Sequence, residues 1–248
     1  LMRADTNDIS ILISYTGGTI GMVHDDETGN LKPIEFEHIT ERVPELKRFG
    51  YDFGTVSFDQ PVDSSNITTA HWVRIAEIIE KNYYKYEGFV VLHGTDTMAY
   101  SASALSFLLE NLEKPIIFTG SQLPIGELRT DARDNIIAAV EIAAARTNNR
   151  SNIPEVCIFF ENKLIRGNRA TKINSEQFNA FASNNFPLLA ESGVYIKYNF
   201  PVIMHNDGYK QLVVHKKMDD NIAVLKLFPG LNEDVLQAIL GTKGLRGL

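Results

Sequence analysis

The sequence predicts an α/β fold: a parallel-sheet N-terminal domain with helices on both faces, plus a smaller α/β C-terminal domain that is only partly present. Two observations carry that expectation. Short apolar runs alternate with stretches of helical spacing, the pattern of a parallel sheet covered on both sides. Three of the apolar runs also end in polar, glycine-containing turns, and in open α/β sheets ligands bind at the carboxyl ends of the strands.

Taken in order, Ile9-Ser10-Ile11-Leu12-Ile13-Ser14-Tyr15 reads as a buried strand that ends at Thr16-Gly17-Gly18-Thr19. Residues 69–86 place Trp72, Val73, Ala76, Ile79 and Tyr83 close to helical spacing. Phe89-Val90-Val91-Leu92 is the next strand and ends at His93-Gly94-Thr95-Asp96. A helix over 99–112 leads to the strand Pro115-Ile116-Ile117-Phe118, which ends at Thr119-Gly120-Ser121. Residues 131–145 form a helix with Ile136, Val140 and Ala144 on one side, and Val156 to Phe160 form another strand. The N-terminal domain is therefore expected over 1–190. The stretch 191–210 lacks a clear period and contains Gly193, Pro201, Asn206, Asp207 and Gly208, so it reads as a linker. Beyond it, 222–227 reads as a strand, 232–240 as a helix and 244–248 as the start of a strand. A stretch as short as 211–248 cannot build its own α/β domain, so an incomplete C-terminal domain is expected there.

Bulk properties narrow the function. The 248 residues carry a formal net charge of −7, and such a surface repels phosphate backbones, which argues against general nucleic-acid binding. The one cysteine, Cys157, sits in the apolar run Val156 to Phe160 and reads as a buried strand residue. The start, Leu1-Met2-Arg3-Ala4-Asp5, lacks a signal-peptide pattern, and the run from Ile9 to Tyr15 is too short to span a bilayer. A cytoplasmic protein without membrane contact is the resulting expectation. The six histidines are scattered without ligand spacing, so a metal site is not expected.

The turns supply the candidate chemistry. Thr16 places a hydroxyl at a strand end among glycines, whose free amides could bind a carboxylate or an oxyanion. An ordinary glycine-rich turn fits the same residues, while the absence of a following Gly-Lys-Ser/Thr speaks against a nucleotide loop. In the second turn, Thr95 and Asp96 place a hydroxyl beside a carboxylate directly before a helix. Asp96 or Thr97 could serve as its N-cap. His93 could be a base, but beside an apolar strand it reads as a packed structural residue. No Gly-x-Ser-x-Gly elbow is present. A threonine hydroxyl is a weak nucleophile until its proton is removed. A lysine of lowered pKa held by a carboxylate can remove it, so a Thr–Lys–Asp cluster would suit. Lys172, beyond the strand ending at Phe160, is one candidate for the lysine, and a solvated surface lysine is the other reading.

Five stretches together resemble the L-asparaginase family of two-threonine amidohydrolases, in its type I, cytoplasmic branch. They are Tyr15-Thr16-Gly17-Gly18-Thr19-Ile20-Gly21-Met22, Asp63-Ser64-Ser65, Leu92-His93-Gly94-Thr95-Asp96-Thr97-Met98-Ala99-Tyr100, Thr119-Gly120-Ser121-Gln122-Leu123-Pro124 and Arg166-Gly167-Asn168-Arg169-Ala170-Thr171-Lys172. The resemblance implies hydrolysis of L-asparagine to L-aspartate and ammonia, with Thr16 forming an acyl-enzyme. Thr95, Asp96 and Lys172 would assist proton transfer. Asp96 would also hold the substrate's α-ammonium and Ser64 its α-carboxylate, with Asp63 nearby. The Thr95 amide and the Ser121 region would help hold the oxyanion. No cofactor is implied, and a homodimer or homotetramer is, because family members complete each site with the C-terminal domain of a neighbouring subunit. Some members also place a tyrosine on the loop after the first threonine. Here no tyrosine lies between Tyr15 and Tyr51, so that role stays unassigned.

Other functions fit some of the same residues. A glutaminase or asparaginase of broader specificity, or an amidase acting on tRNA-linked substrates, would use the same chemistry. A non-catalytic amino-acid-binding protein would keep the pocket without turnover. A nucleotide-binding protein would use only the glycine-rich turns.

Overall fold

A computed structural model describes residues 9–25, 30–34, 39–175, 177–206 and 210–248. The leader reading at Leu1 to Asp5 and residues 207–209 of the expected linker lie outside these residues. The chain divides into two compact units, 1–215 and 216–248.

The first unit is built on an eight-stranded sheet. Its strands are β1 (Ser10–Tyr15), β2 (Asp52–Ser57), β3 (Gly88–Leu92), β4 (Ile116–Thr119), β5 (Val156–Phe160), β6 (Lys163–Arg166), β7 (Ala190–Ser192) and β8 (Ile196–Tyr198). Their order across the sheet is β8-β7-β6-β5-β4-β3-β1-β2. The five strands from β5 to β2 run parallel. The remaining three add on antiparallel. The three long helices are α1 (Thr69–Asn82), α2 (Met98–Leu108) and α3 (Ala132–Ala144).

Side chains alternate across a strand, so each strand feeds two cores. Ile11, Ile13, Tyr15, Val90, Leu92, Ile117, Cys157 and Phe159 pack on one face with Ile136, Ala139, Val140 and Ala143 of α3. Leu12, Phe89, Val91, Ile116, Phe118 and Ile158 pack on the other with Ile75, Ala76 and Ile79 of α1 and Ala102 and Leu105 of α2. Cys157 is fully buried, and that burial pushes its thiol pKa up, as suits a core residue. Gly88 lets α3 approach closely, because a Cβ there would lie 2.4 Å from the Ala143 carbonyl oxygen.

Several boundaries differ from the sequence reading. The helix expected over 99–112 ends at Leu108, and Leu109–Glu110 turns extended to pair with Val213–Val214. The stretch expected as a linker contributes β8, and β7 enters it. A buried ion pair helps fix this part of the chain. Arg166 donates to both oxygens of Glu155, at 2.5 and 2.9 Å, and to the Val202 carbonyl at 2.8 Å, while the Met204 amide donates to Glu155 at 2.6 Å.

In the second unit, helix α4 (Glu233–Leu240) is capped by Asn232, whose side chain accepts from the Asp234 amide at 2.7 Å. The strands expected at 222–227 and 244–248 reduce to one parallel bridge between Ile222 and Gly247. A strand exists only as part of a ladder, and a single bridge does not make one.

Candidate active site

Four consecutive carboxyl ends of the parallel strands deliver the site. Thr16 follows β1, the segment Asp63 to Ser65 follows β2, His93 to Asp96 follow β3, and Gly120 to Leu123 follow β4. The first and third of these turns touch through their main chains. A Cβ on Gly18, which has φ of +87°, would lie 2.5 Å from the Gly94 Cα, and a Cβ on Gly94 would lie 2.6 Å from the Ser64 Oγ. Gly17, with φ of +136°, is equally crowded by the Val62 carbonyl oxygen, 2.1 Å from where its Cβ would be. Only glycine fits such positions, so the glycines are what allow the two threonine turns to meet.

Thr16 is buried, at 2% exposure. Its hydroxyl donates to the Leu92 carbonyl at 3.0 Å, the same carbonyl that accepts from its own amide. The N–H groups of Gly17 and Gly18 have no protein acceptor among the described residues, as a turn built to receive an anion requires.

The second threonine sits in a charged cluster. Lys172 Nζ donates to Thr95 Oγ1 at 2.9 Å and to Asp96 Oδ1 at 2.5 Å. Lys172 is held there by the short pairing of Thr171–Lys172 with Phe181–Ala182, and Phe181 anchors that pairing edge-on against Phe160. The hydrogen bond from Lys172 keeps the Asp96 carboxyl below its ordinary pKa, and Ser65 Oγ adds a further donor at 3.3 Å. Thr95 Oγ1 in turn donates to Gln122 Oε1 at 3.4 Å. Gln122 is aimed by its own amide, which donates to the Ser175 and Gln177 carbonyls at 3.2 and 2.8 Å. The turn from Gly120 to Leu123 is rigid because the Asp131 carboxylate accepts from the Gln122 and Leu123 amides, and Asn135 donates to the Gly120 carbonyl at 2.9 Å. Asp96 and Lys172 also line a cavity of about 570 Å³, walled by Ala99, Tyr100 and Ser103 of α2 and by residues 170–175.

The structure brings Thr95, Asp96 and Lys172 into direct contact and sets the Thr16 turn against theirs. Ser64 is buried beside Gly94, and its carbonyl accepts from Thr97 Oγ1 at 2.6 Å. Thr97 does occupy the N-cap of α2, but neither it nor Asp96 caps through its side chain. Asp63 instead caps the turn that follows it, accepting from the Ser65 amide at 2.9 Å. The Ser121 hydroxyl donates to the Leu123 carbonyl at 2.6 Å. Two contacts escaped the sequence reading, Ser65 on Asp96 and Gln122 on Thr95. Both lie within the motif stretches, and a polar residue beside each motif serine was the available signal. Among the described residues, no group of three or more His, Cys, Asp or Glu side chains is placed to hold a metal ion.

With this geometry in view, comparison with known proteins decides the family. The family described as Asparaginase, N-terminal, matches residues 10–203. The chain belongs to the asparaginase family. It is 44% identical over 233 residues to L-asparaginase 1 of Escherichia coli strain K12, covering 93% of this chain and 67% of that protein. It is 39% identical over 263 residues to the 60 kDa lysophospholipase of Homo sapiens, covering 97% of this chain but 45% of that protein. Its fold superposes on L-asparaginase I of Vibrio cholerae with a TM-score of 0.82 at 39% identity, covering 95% of this chain and 69% of that structure. This asparaginase chain thus spans about two thirds of its bacterial relatives and less than half of the human one.

Proposed function

We propose that the chain hydrolyses L-asparagine to L-aspartate and ammonia, with Thr16 as the nucleophile. The carrying observation is the contact of Lys172 Nζ with Thr95 Oγ1 at 2.9 Å and Asp96 Oδ1 at 2.5 Å, formed across 77 and 76 residues of sequence. A base, a hydroxyl relay and a counter-charge meet beside the turn that carries Thr16.

The reaction follows from those parts. Asparagine binds with its α-ammonium on Asp96 and its α-carboxylate at Ser64, with Asp63 nearby. Thr16 Oγ attacks the side-chain carbonyl carbon, and its proton leaves through the Thr95–Lys172–Asp96 cluster. Charge develops on the carbonyl oxygen, where the Thr95 amide and the region of Ser121 receive it. The C–N bond breaks as the leaving nitrogen takes up the proton, ammonia departs, and a β-aspartyl ester remains on Thr16. Water then attacks the ester, its proton follows the same route, and aspartate leaves with Thr16 restored.

Residues 211–248 begin a C-terminal domain, and a neighbouring copy in a homodimer or homotetramer completes each site. No helix of the described residues is long and apolar enough to cross a membrane; the cytoplasmic location we infer rests on the family resemblance alone. The reading is tested by ammonia release from asparagine and from glutamine, using the full-length protein, Thr16→Ala and Thr95→Ala. Loss of turnover in both variants is expected. Undiminished turnover in either one removes that threonine from the mechanism.

A further inference from the structure

We propose that His93 is a positioning residue: through a hydrogen-bond chain running from Trp72 and Ser101, it fixes the peptide between Gly94 and Thr95 so that the Thr95 N–H points at the reacting carbonyl oxygen. The proposal rests on the reading of the site given above.

The chain is Trp72 Nε1 to Ser101 Oγ at 2.8 Å, Ser101 Oγ to His93 Nε2 at 2.9 Å, and His93 Nδ1 to the Gly94 carbonyl oxygen at 2.7 Å. Donor and acceptor logic settles every direction. An indole N–H can only donate, so Ser101 Oγ accepts from Trp72. A carbonyl can only accept, so His93 Nδ1 carries a proton and donates to Gly94. In the neutral ring Nε2 must then accept, and the Ser101 hydroxyl supplies its hydrogen. Each member has one role left, so the tautomer and the ring orientation are both fixed.

Burial keeps the imidazole neutral. His93 is 1% exposed, and desolvation pushes its pKa down to about 4, with His71 adding a smaller effect in the same direction. The ring also packs against Phe118 of β4, with centroids 5.9 Å apart. The chain starts on α1 and α2, two elements of the packed core, so it ties the site to rigid scaffold.

The consequence for the site comes from peptide planarity. In a trans peptide the C=O and the following N–H point in opposite directions, and no cis peptide occurs among the described residues. Holding the Gly94 carbonyl toward His93 therefore turns the Thr95 N–H away from it. That N–H has no protein acceptor among the described residues. It is free to receive charge that develops only in the transition state, which is where a fixed donor accelerates chemistry. Released from His93, the same peptide can rotate, and the donor is no longer preorganised.

The test compares His93→Asn with His93→Gln. An asparagine amide can stand where Nδ1 stands and donate to Gly94; a glutamine amide reaches the Nε2 position and cannot. Expected is a loss of kcat of about 10²-fold in His93→Gln, with KM for asparagine little changed, and recovery of most of kcat in His93→Asn. Nitrogen-15 NMR of the wild-type ring at pH 7 should show the neutral Nδ1–H tautomer, and Ser101→Ala should keep it, because the Gly94 carbonyl still accepts from Nδ1. A folded His93→Gln variant with wild-type kcat, or a wild-type ring protonated on Nε2, overturns the proposal. The NMR arm decides even if the substituted proteins do not fold. Because it needs no turnover, it also separates failure of this inference from failure of the asparaginase reading, which would appear as a wild-type protein that releases no ammonia.

Discussion

The two threonines differ more in their surroundings than in their place in the fold. Both follow the end of a parallel strand, and their turns touch at Gly18 and Gly94. Yet Thr16 is sealed against the main chain, its hydroxyl satisfied by the Leu92 carbonyl. Thr95 is wired to a lysine amine, a carboxylate and an amide through Lys172, Asp96 and Gln122. A hydroxyl bonded to a carbonyl is held in place but not activated, whereas one touching a lysine can pass a proton. That contrast is why we propose attack for the first and proton handling for the second.

The largest expected effect is on the wired side. Lys172→Met removes the proton acceptor and leaves the Thr16 turn intact, so kcat should fall by roughly 10²- to 10⁴-fold. Adding Thr95→Val to that variant should cost little more, because groups acting as one unit are not additive. Steady-state kinetics of the two single variants and the double variant check this. Full additivity would split the cluster into independent parts and break the comparison.

A smaller effect concerns the scaffold beneath the second turn. His93 has a folded-state pKa of about 4, below the ordinary histidine value, so the unfolded chain takes up the proton first. Its stabilising contribution is complete above pH ~6.5 and declines as the pH falls toward ~4, by roughly 3 kcal/mol in all. Urea midpoints measured across that range should show the decline in the wild type and a flatter profile in His93→Asn. A wild-type profile as flat as the variant's would mean that the ring is not buried neutral.

The smallest effect is expected at the contact between the turns. Gly18→Ala places a Cβ 2.5 Å from the Gly94 Cα in a backbone conformation that alanine rarely adopts. We expect a stability loss of about 1–3 kcal/mol and a lower kcat. Thermal unfolding with parallel kinetics measures both, and a variant of wild-type stability would show that the turns do not depend on that approach.

What the sequence made legible follows the same physical division. Strands buried on both faces announce themselves by apolar runs, and β1, β3, β4 and β5 were found close to their limits. The edge strand β2 was missed because it is only half-buried and carries Gly54, which weakens any strand pattern. That glycine has a structural reason: a Cβ there would lie 2.1 Å from the Tyr86 hydroxyl. The three-residue strands β7 and β8 were read as linker because so short a pairing leaves no period to detect. At the site, each threonine motif was visible as a local pattern. The contact of Lys172 with them is a property of the folded chain, and spacing alone left it one lysine among many. Gln122 and Ser65 went unassigned because their roles depend on which way a side chain points.

The assignment of attack to Thr16 has one direct test. Wild-type protein mixed with asparagine is quenched in acid during turnover, digested, and its peptides weighed. The account predicts an added β-aspartyl group on the peptide that contains Thr16 and an unmodified peptide around Thr95. An adduct on Thr95, or turnover that continues in Thr16→Ala with no adduct there, would contradict it.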